Sequence, residues 1–293
     1  MLARVLLGSG LVEGADGYLY ALAMPGDALA LCRFTRDGAV SVLHRFEGWM
    51  VPTPGLLVGR DGHVYGLSVG DGTNKKGTFY RFISGGDFSI LHHFGPEEYA
   101  GSHLIQHSDG AFYGVAPGGP FGLGTVFRMT SEGDYRVVHA FTEADGLRDP
   151  VGRLAEGNRG DLFGVAKSGD RRQSRTTVFK VSTNGSLSAL HTFRPGAWVD
   201  ELVRGSDGAF YGTGSAGSRY TSRIGQWIES LPGRIRRPEV GALWRVSESG
   251  EATLVCRIPD QSVLVGDDGV YYGVAPGGGA HNLGLIYRLD VPR

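Results

Sequence analysis

The sequence predicts an all-β fold, a six-bladed β-propeller with four-stranded blades, on three observations. Glycine is over-represented, at 49 of 293 residues, more than twice its usual share. One Asp-Gly phrase recurs six times at near-constant spacing. The two ends of the chain read as complementary fragments of one repeat. With 41 % hydrophobic residues a core can form, and no Gly-x-y period runs through the chain, so neither disorder nor a collagen helix fits.

The first phrase reads Asp16-Gly17-Tyr18-Leu19-Tyr20-Ala21, then Asp61-Gly62-His63-Val64-Tyr65-Gly66, then Asp109-Gly110-Ala111-Phe112-Tyr113-Gly114. A degenerate copy begins at Arg159 and two good ones at Asp207 and Asp268, giving intervals of 45, 48, 50, 48 and 61 residues. A second phrase follows each first one, as in Gly77-Thr78-Phe79-Tyr80-Arg81 and Gly124-Thr125-Val126-Phe127-Arg128. A third is Leu-His-x-Phe, at Leu43–Phe46, Leu91–Phe94 and Leu190–Phe193, with Val138–Phe141 as a variant. Each unit therefore predicts four short strands. In the third unit strand a is Leu104–His107, strand b Phe112–Ala116, strand c Thr125–Met129 and strand d Arg136–Phe141. Asp-Gly supplies the positive φ that tight hairpins need between strands a and b. Four antiparallel strands per 45–50 residues is the sequence signature of a propeller blade.

The sixth unit stops after its strand c, Leu285–Leu289, and an orphan strand, Ala3–Leu7, precedes the first unit. The expectation is that this N-terminal strand completes the last blade and hides a free edge, so that residues 1–293 form one propeller domain. The phrases resemble the GloVer tandem-repeat family, whose pattern is roughly Asp-Gly-x-Phe-Tyr-Gly, Gly-Gly-Thr-Val-Phe and Leu-His-x-Phe. The resemblance covers nearly the whole chain. It implies a propeller and leaves the function open, because that fold hosts many.

Charge narrows the partners. The net charge is −1 from 29 basic and 30 acidic residues, which argues against a dedicated nucleic-acid binder or a polybasic membrane anchor. No apolar run approaches a membrane span, and the run Val5–Leu7 is too short for a signal-peptide core, so the expected location is the cytoplasm. Two cysteines, Cys32 and Cys256, make no disulfide framework and read as core thiols.

Several repeated residues have structural explanations. His44, His92, His139 and His191 share one repeat position on strand d. Equivalent positions on adjacent blades are at least ~10 Å apart there, too far for one metal ion, so no metal site and no cofactor are expected. The Asp-Gly turns lack the alternating acidic ladder of a calcium loop, and Asp71-Gly72-Thr73-Asn74 is the best of weak cation candidates. Pro117-Gly118-Gly119 and Pro276-Gly277-Gly278 join two strands and have no helix behind them to bind phosphate.

The informative positions are those where the repeat breaks. The d-to-a and b-to-c loops emerge at one end of each blade. The position just before strand a reads Gly10, Gly55, His103, Arg153, Glu201, Ser262. Three consecutive units thus carry an imidazole, a guanidinium and a carboxylate, with Asp200 beside Glu201. This set can do acid/base chemistry and neutralise developing charge. His103 is expected as general base or acid, Glu201 with Asp200 as its orienting partner, and Arg153 as the anion stabiliser. A second position within strand a reads Glu13, Val58, Gln106, Glu156, Arg204, Val265, and its polar members are candidates for ligand contact. Trp49, Tyr99 and Trp198 on the d-to-a loops are expected to line the pocket.

The fifth unit carries an insertion at about residues 213–240. From Asp207 to Arg245 is 38 residues, where the other units need 17 to 21. Ile224, Trp227, Ile228 and Leu231 form one apolar helical stripe, so a short helix over the mouth reads as a lid, with Trp227 facing the pocket. Its five arginines suit an anionic substrate or an acidic carrier protein.

Two function classes remain. One is a cofactor-independent enzyme of the lyase, isomerase or cyclase type, with a hydrolase as a variant, acting on a small molecule in specialised metabolism. The other is a binding or scaffold propeller for a glycan, peptide or protein. Convergence of the polar side chains on open space favours the first. Burial of those side chains in mutual salt bridges excludes it.

Overall fold

The computed structural model describes residues 6–7, 11–25, 28–46, 48, 50–83, 86–169, 174–217, 241–258, 263–265, 271–275 and 285–289. The chain divides into two compact units, Met1–Glu143 and Ala144–Arg293. Among the described residues the secondary structure is β-strand apart from a 3-10 turn at Glu143–Asp145, and no helix is long and apolar enough to cross a membrane.

The first unit holds three antiparallel sheets. β1 (Leu6–Leu7), β2 (Val12–Glu13), β3 (Leu19–Met24), β4 (Ala30–Phe34) and β5 (Val40–Arg45) form the first. The second has β6 (Val51–Pro52), β7 (Leu57–Val58), β8 (Val64–Val69), β9 (Thr78–Phe82) and β10 (Phe88–His93). The third has β11 (Leu104–Gln106), β12 (Phe112–Ala116), β13 (Thr125–Met129) and β14 (Tyr135–Ala140).

The second unit continues the pattern. Its first sheet is β15 (Leu147–Glu156), β16 (Leu162–Ser168), β17 (Arg175–Val181) and β18 (Leu187–Thr192). The next is β19 (Ala197–Val199), β20 (Val203–Arg204), β21 (Phe210–Ala216), β22 (Gly241–Val246) and β23 (Ala252–Ile258). The last, three-stranded among the described residues, is β24 (Val263–Val265), β25 (Tyr271–Ala275) and β26 (Leu285–Leu289).

Among the described residues the a-to-b turns form as the sequence predicts, and the structure shows why tyrosine recurs four residues after the aspartate. Gly62 and Gly110 adopt φ of 79° and 85°, a region glycine enters without strain. The Asp61 carboxylate accepts the His63 N–H at 3.0 Å and the Tyr65 hydroxyl at 2.6 Å. Asp109 repeats this with Ala111 and Tyr113, and Asp207 with Ala209 and Tyr211. Burial, with the Asp61 carboxylate beside it, pushes the Tyr65 phenol up to about 12.

The N-terminal strand departs from expectation. Leu6 and Leu7 pair with Met24 and Ala23 of β3, inside the first sheet. The cause is the construction of strand a, which comes in two pieces. β6 and β7 both pair with β8, and β19 and β20 both pair with β21. β15 runs through in one piece, with register shifts at Arg148/Val151 and Val151/Ala155. Strand b is long enough to carry both pieces, and Leu6–Leu7 takes the place on β3 that Val51–Pro52 takes on β8. Ala3–Val5 lie outside the described residues.

Packing between sheets of one unit is aromatic. Tyr65 lies 4.4 Å from Phe112, and Phe163 lies 4.2 Å from Phe210, between ring centroids. The strand-d histidines belong to this packing. His44 stacks on Phe88 of the next sheet at 3.7 Å, and His92 stacks on Tyr135. Cys32 is buried and Cys256 half-buried, both as free thiols.

One core position is imperfect. Tyr80 stands where the third unit has Phe127, fully buried, and its hydroxyl has no hydrogen-bond partner. A buried unsatisfied hydroxyl costs stability, and burial drives this phenol far above its usual range. Tyr80→Phe is expected to raise unfolding free energy by about 1 kcal/mol. Gly114→Ala is expected to lower it by about 1–3 kcal/mol, because a Cβ would sit 2.6 Å from Phe127 Cζ and 2.8 Å from the His103 carbonyl oxygen. Urea titration of both variants checks the pair. Acid denaturation gives a second test. Burial works against ionised Asp109, yet the Ala111 N–H, the Tyr113 hydroxyl and His107 together hold it below the usual carboxylate range. Its contribution is therefore present above the unfolded-state value and lost as pH falls through the lower native one. Asp109→Asn should reduce the loss of thermal stability measured between about pH 5 and pH 2.

Candidate functional site

The polar break in the repeat lies where strand a begins. Each break residue precedes a leucine at most 3 % exposed: Leu56, Leu104, Leu154 and Leu202. At the break position itself His103, Arg153 and Glu201 are half-buried, and Gly55 is buried.

Neighbouring segments of one unit abut closely. A Cβ on Gly55 would lie 2.8 Å from His103 Cα, and one on Gly152 would lie 2.9 Å from Glu201 Cβ. The strand-b glycines make this possible from below, since a Cβ on Gly212 would lie 2.7 Å from the Glu201 carbonyl oxygen. Arg153 and Glu201 thus occupy equivalent positions on adjacent sheets of the second unit. They do not pair. Arg153 is half-buried, its Nε is fully buried without a hydrogen-bond partner, and no ion pair joins it to Glu201 or Asp200. Glu201 is half-buried and Asp200 more exposed. Desolvation first, and the Glu201 carboxylate second, raise the Asp200 carboxyl above its ordinary value. Trp198 is half-buried on β19 between Ala197 and Val199, which both enter the core. In the first unit His103 is half-buried, with Nδ1 2.9 Å from Ser102 Oγ.

The other expected ligand residues are placed differently. The Gln106 amide oxygen accepts the Arg60 N–H at 2.8 Å, and its Nε2 donates to the Gly110 carbonyl. Arg204 donates to the Asn158 side-chain oxygen. Both therefore stitch strand a to the a-to-b turn of the preceding sheet, at the opposite end from the break residues. Glu13 is exposed and pairs with Arg36 at 2.6 Å, and Glu156 is half-buried at the end of β15. Tyr99 does lie among the d-to-a and b-to-c loops. Its hydroxyl accepts from Lys76 Nζ at 2.8 Å, and a Cβ on Gly118 would strike its ring. Trp49, Trp227 and residues 218–240 of the insertion lie outside the described residues.

Two features escape the repeat reading. Asp149 has φ of 47° although it is not glycine, and it precedes Pro150, which disfavours such a conformation. Its carboxylate accepts from Arg148 at 2.6 Å and lies 3.9 Å from Lys167 Nζ. The Asp-Pro dipeptide was the available signal. His107 takes the turn position held by Gly14, Gly59 and Gly157 in other units, is 4 % exposed, and holds its Nδ1 3.1 Å from the Asp109 backbone nitrogen and 3.0 Å from Asp109 Oδ1. Among the described residues no group of three or more histidine, cysteine or acidic side chains could hold a metal ion. Asp71, the candidate cation ligand, accepts from the Ser68 and Thr78 hydroxyls.

The family model described as the Gloeobacter/Verrucomicrobia repeat matches residues 8–225. The chain belongs to the Gloeobacter/Verrucomicrobia repeat family. No curated protein sequence matches this repeat protein. Its solved structural neighbours include an oligogalacturonate lyase in complex with manganese, with a TM-score of 0.61 at 12 % identity over 98 % of this chain and 82 % of that one. A protein from Lactobacillus plantarum gives 0.53 at 15 % identity over 99 % and 82 %. A gluconolactonase assigned as such only provisionally gives 0.50 at 16 % identity over 92 % and 89 %. At these identities the likeness concerns the fold, all-β with propeller-like four-stranded sheets.

The repeat protein's acidic pair makes a direct prediction. Glu201→Gln removes the charge that helps keep Asp200 protonated, so the Asp200 midpoint should move down. Carbon-13 NMR of the side-chain carboxyl through a pH titration checks the shift. An unchanged midpoint would mean that the two carboxylates do not interact.

Proposed function

We propose that this chain is a small-molecule enzyme of the lyase, isomerase or cyclase type on a six-bladed propeller. Arg153, Glu201 and Asp200 carry the chemistry, and His103, which holds the same repeat position in the first unit, is proposed as a further acid/base group. The observation that supports this reading is the unpaired state of Arg153 and Glu201 on abutting segments. Opposite charges carried on abutting segments without a bond between them retain their capacity for a ligand. A guanidinium stabilises a developing oxyanion or enolate, while a carboxylate or imidazole moves the proton. Together they suit proton abstraction next to a carbonyl or carboxyl group, the step common to elimination, isomerisation and ring closure.

The test is a turnover screen with purified protein. Sugar lactones and uronate oligomers head the panel, because two structural neighbours bear names of that chemistry. Acid release and the absorbance of an unsaturated uronate product are the readouts. Glu201→Gln and His103→Ala are each expected to lower kcat by about 100-fold or more while keeping the wild-type melting temperature. Turnover that survives both substitutions would end the reading. The second reading, a non-catalytic binding propeller, is favoured by Phe121, which is 61 % exposed on the loop between β12 and β13. It predicts ligand binding weakened by Phe121→Ser and no turnover.

A further inference from the structure

The charge arrangement beside Glu201 restricts what can bind there. Three cations lie on or next to β15, and two of them, Arg148 and Lys167, already face the Asp149 carboxylate. Among the described residues Arg153 is the one of these three without a hydrogen-bond or ion-pair partner, and its Nε is buried, as are those of Arg81 and Arg204. Asp149 keeps a left-handed backbone conformation before a proline. Such strain persists where surrounding contacts impose it, and it clusters at ligand sites. Here it fixes the start of the segment that carries Arg153.

The counterpart is two carboxylates, Asp200 and Glu201, on the segment that abuts Gly152. A dianion such as a phosphate ester would meet more repulsion than attraction from one guanidinium and two carboxylates. A monoanionic carboxylate can form the paired, fork-like contact that guanidinium favours. The acidic side chains in turn need hydrogen-bond donors, which hydroxyl groups supply. Trp198 adds an aromatic ring two residues before Asp200, of the kind that packs on the flat C–H face of a sugar ring.

We infer that the site takes a hydroxylated carboxylate monoanion of the sugar-acid class, its carboxylate on Arg153, its hydroxyls on Glu201 and Asp200, and its ring face against Trp198. This rests on the function proposed above and specifies its substrate class. The experiment is isothermal titration of the full chain with D-glucuronate, D-glucose, acetate and inorganic phosphate, on wild type and on Arg153→Gln and Trp198→Ala. D-Glucuronate should bind at least ten-fold more tightly than D-glucose, acetate or phosphate. Arg153→Gln should bring glucuronate down to the level of glucose and leave glucose unchanged. Trp198→Ala should weaken both sugars and spare acetate. A melting curve and circular dichroism spectrum matching wild type establish that each variant folds. Equal binding of acetate or phosphate, retention of glucuronate by Arg153→Gln, or no binding of glucuronate overturns the inference. Glu201-dependent turnover of an uncharged substrate would overturn it while leaving the proposed enzyme function intact.

Discussion

The glycine at the centre of strand b is the constraint on which the sheets depend. Gly66, Gly114, Gly164 and Gly212 stand opposite Tyr80, Phe127, Phe179 and Trp244 of strand c. In the middle two, a Cβ would come within 2.6 Å of the facing ring. There the absent side chain is the space that the aromatic ring fills. The first sheet supports this from the other side, because Ala21 replaces the glycine there and small Cys32 replaces the aromatic residue. A methyl group has been added on one strand and a ring removed on the other, in keeping with the near-crystalline density of protein interiors.

The same glycines govern how closely strand a approaches. Gly114 lies beneath the His103 carbonyl and Gly212 beneath that of Glu201. Core packing and site geometry are therefore coupled through one backbone position. A bulkier residue there would displace the ring on one side and the polar segment on the other. This coupling explains how a repeat can vary chemically at the start of strand a while staying uniform beneath it.

Polar departures from the repeat serve two different ends. At the turn end, Gln106 and Arg204 bond to the preceding sheet, and His107 fills a glycine position against the Tyr113 ring. These groups hold sheets together. At the opposite end of strand a, Arg153 and Glu201 bond, among the described residues, to neither each other nor another side chain. Of the repeated histidines, His44 and His92 stack on aromatic rings of the next sheet, and His139 and His191 meet Phe141 and Phe193 edge-on. The useful distinction is whether a polar group has a partner, and position within the repeat does not reveal that.

Much of this was decided locally and was legible in the residues. Asp-Gly turns, strand periodicity and the order of strands within a sheet depend on neighbours a few positions away, so the turns and the strand order of each unit could be read directly, while the splitting of strand a into two pieces in three sheets could not. The position held by His103, Arg153 and Glu201 stood out for the same reason, as a departure from glycine in an aligned repeat. Tertiary structure decided the rest. Leu6-Leu7 carries no local feature that selects β3 as its partner, and that choice required a strand b long enough to hold both pieces of strand a. Whether Gln106 met a turn and Arg153 met nothing depended on backbone groups 46 residues away in the first case and on the abutting Asp200–Glu201 segment in the second. Composition and periodicity specify what each segment can form. Which side chains are left without partners is settled only when distant segments pack, because pairing is a matter of angstroms between groups that the sequence separates.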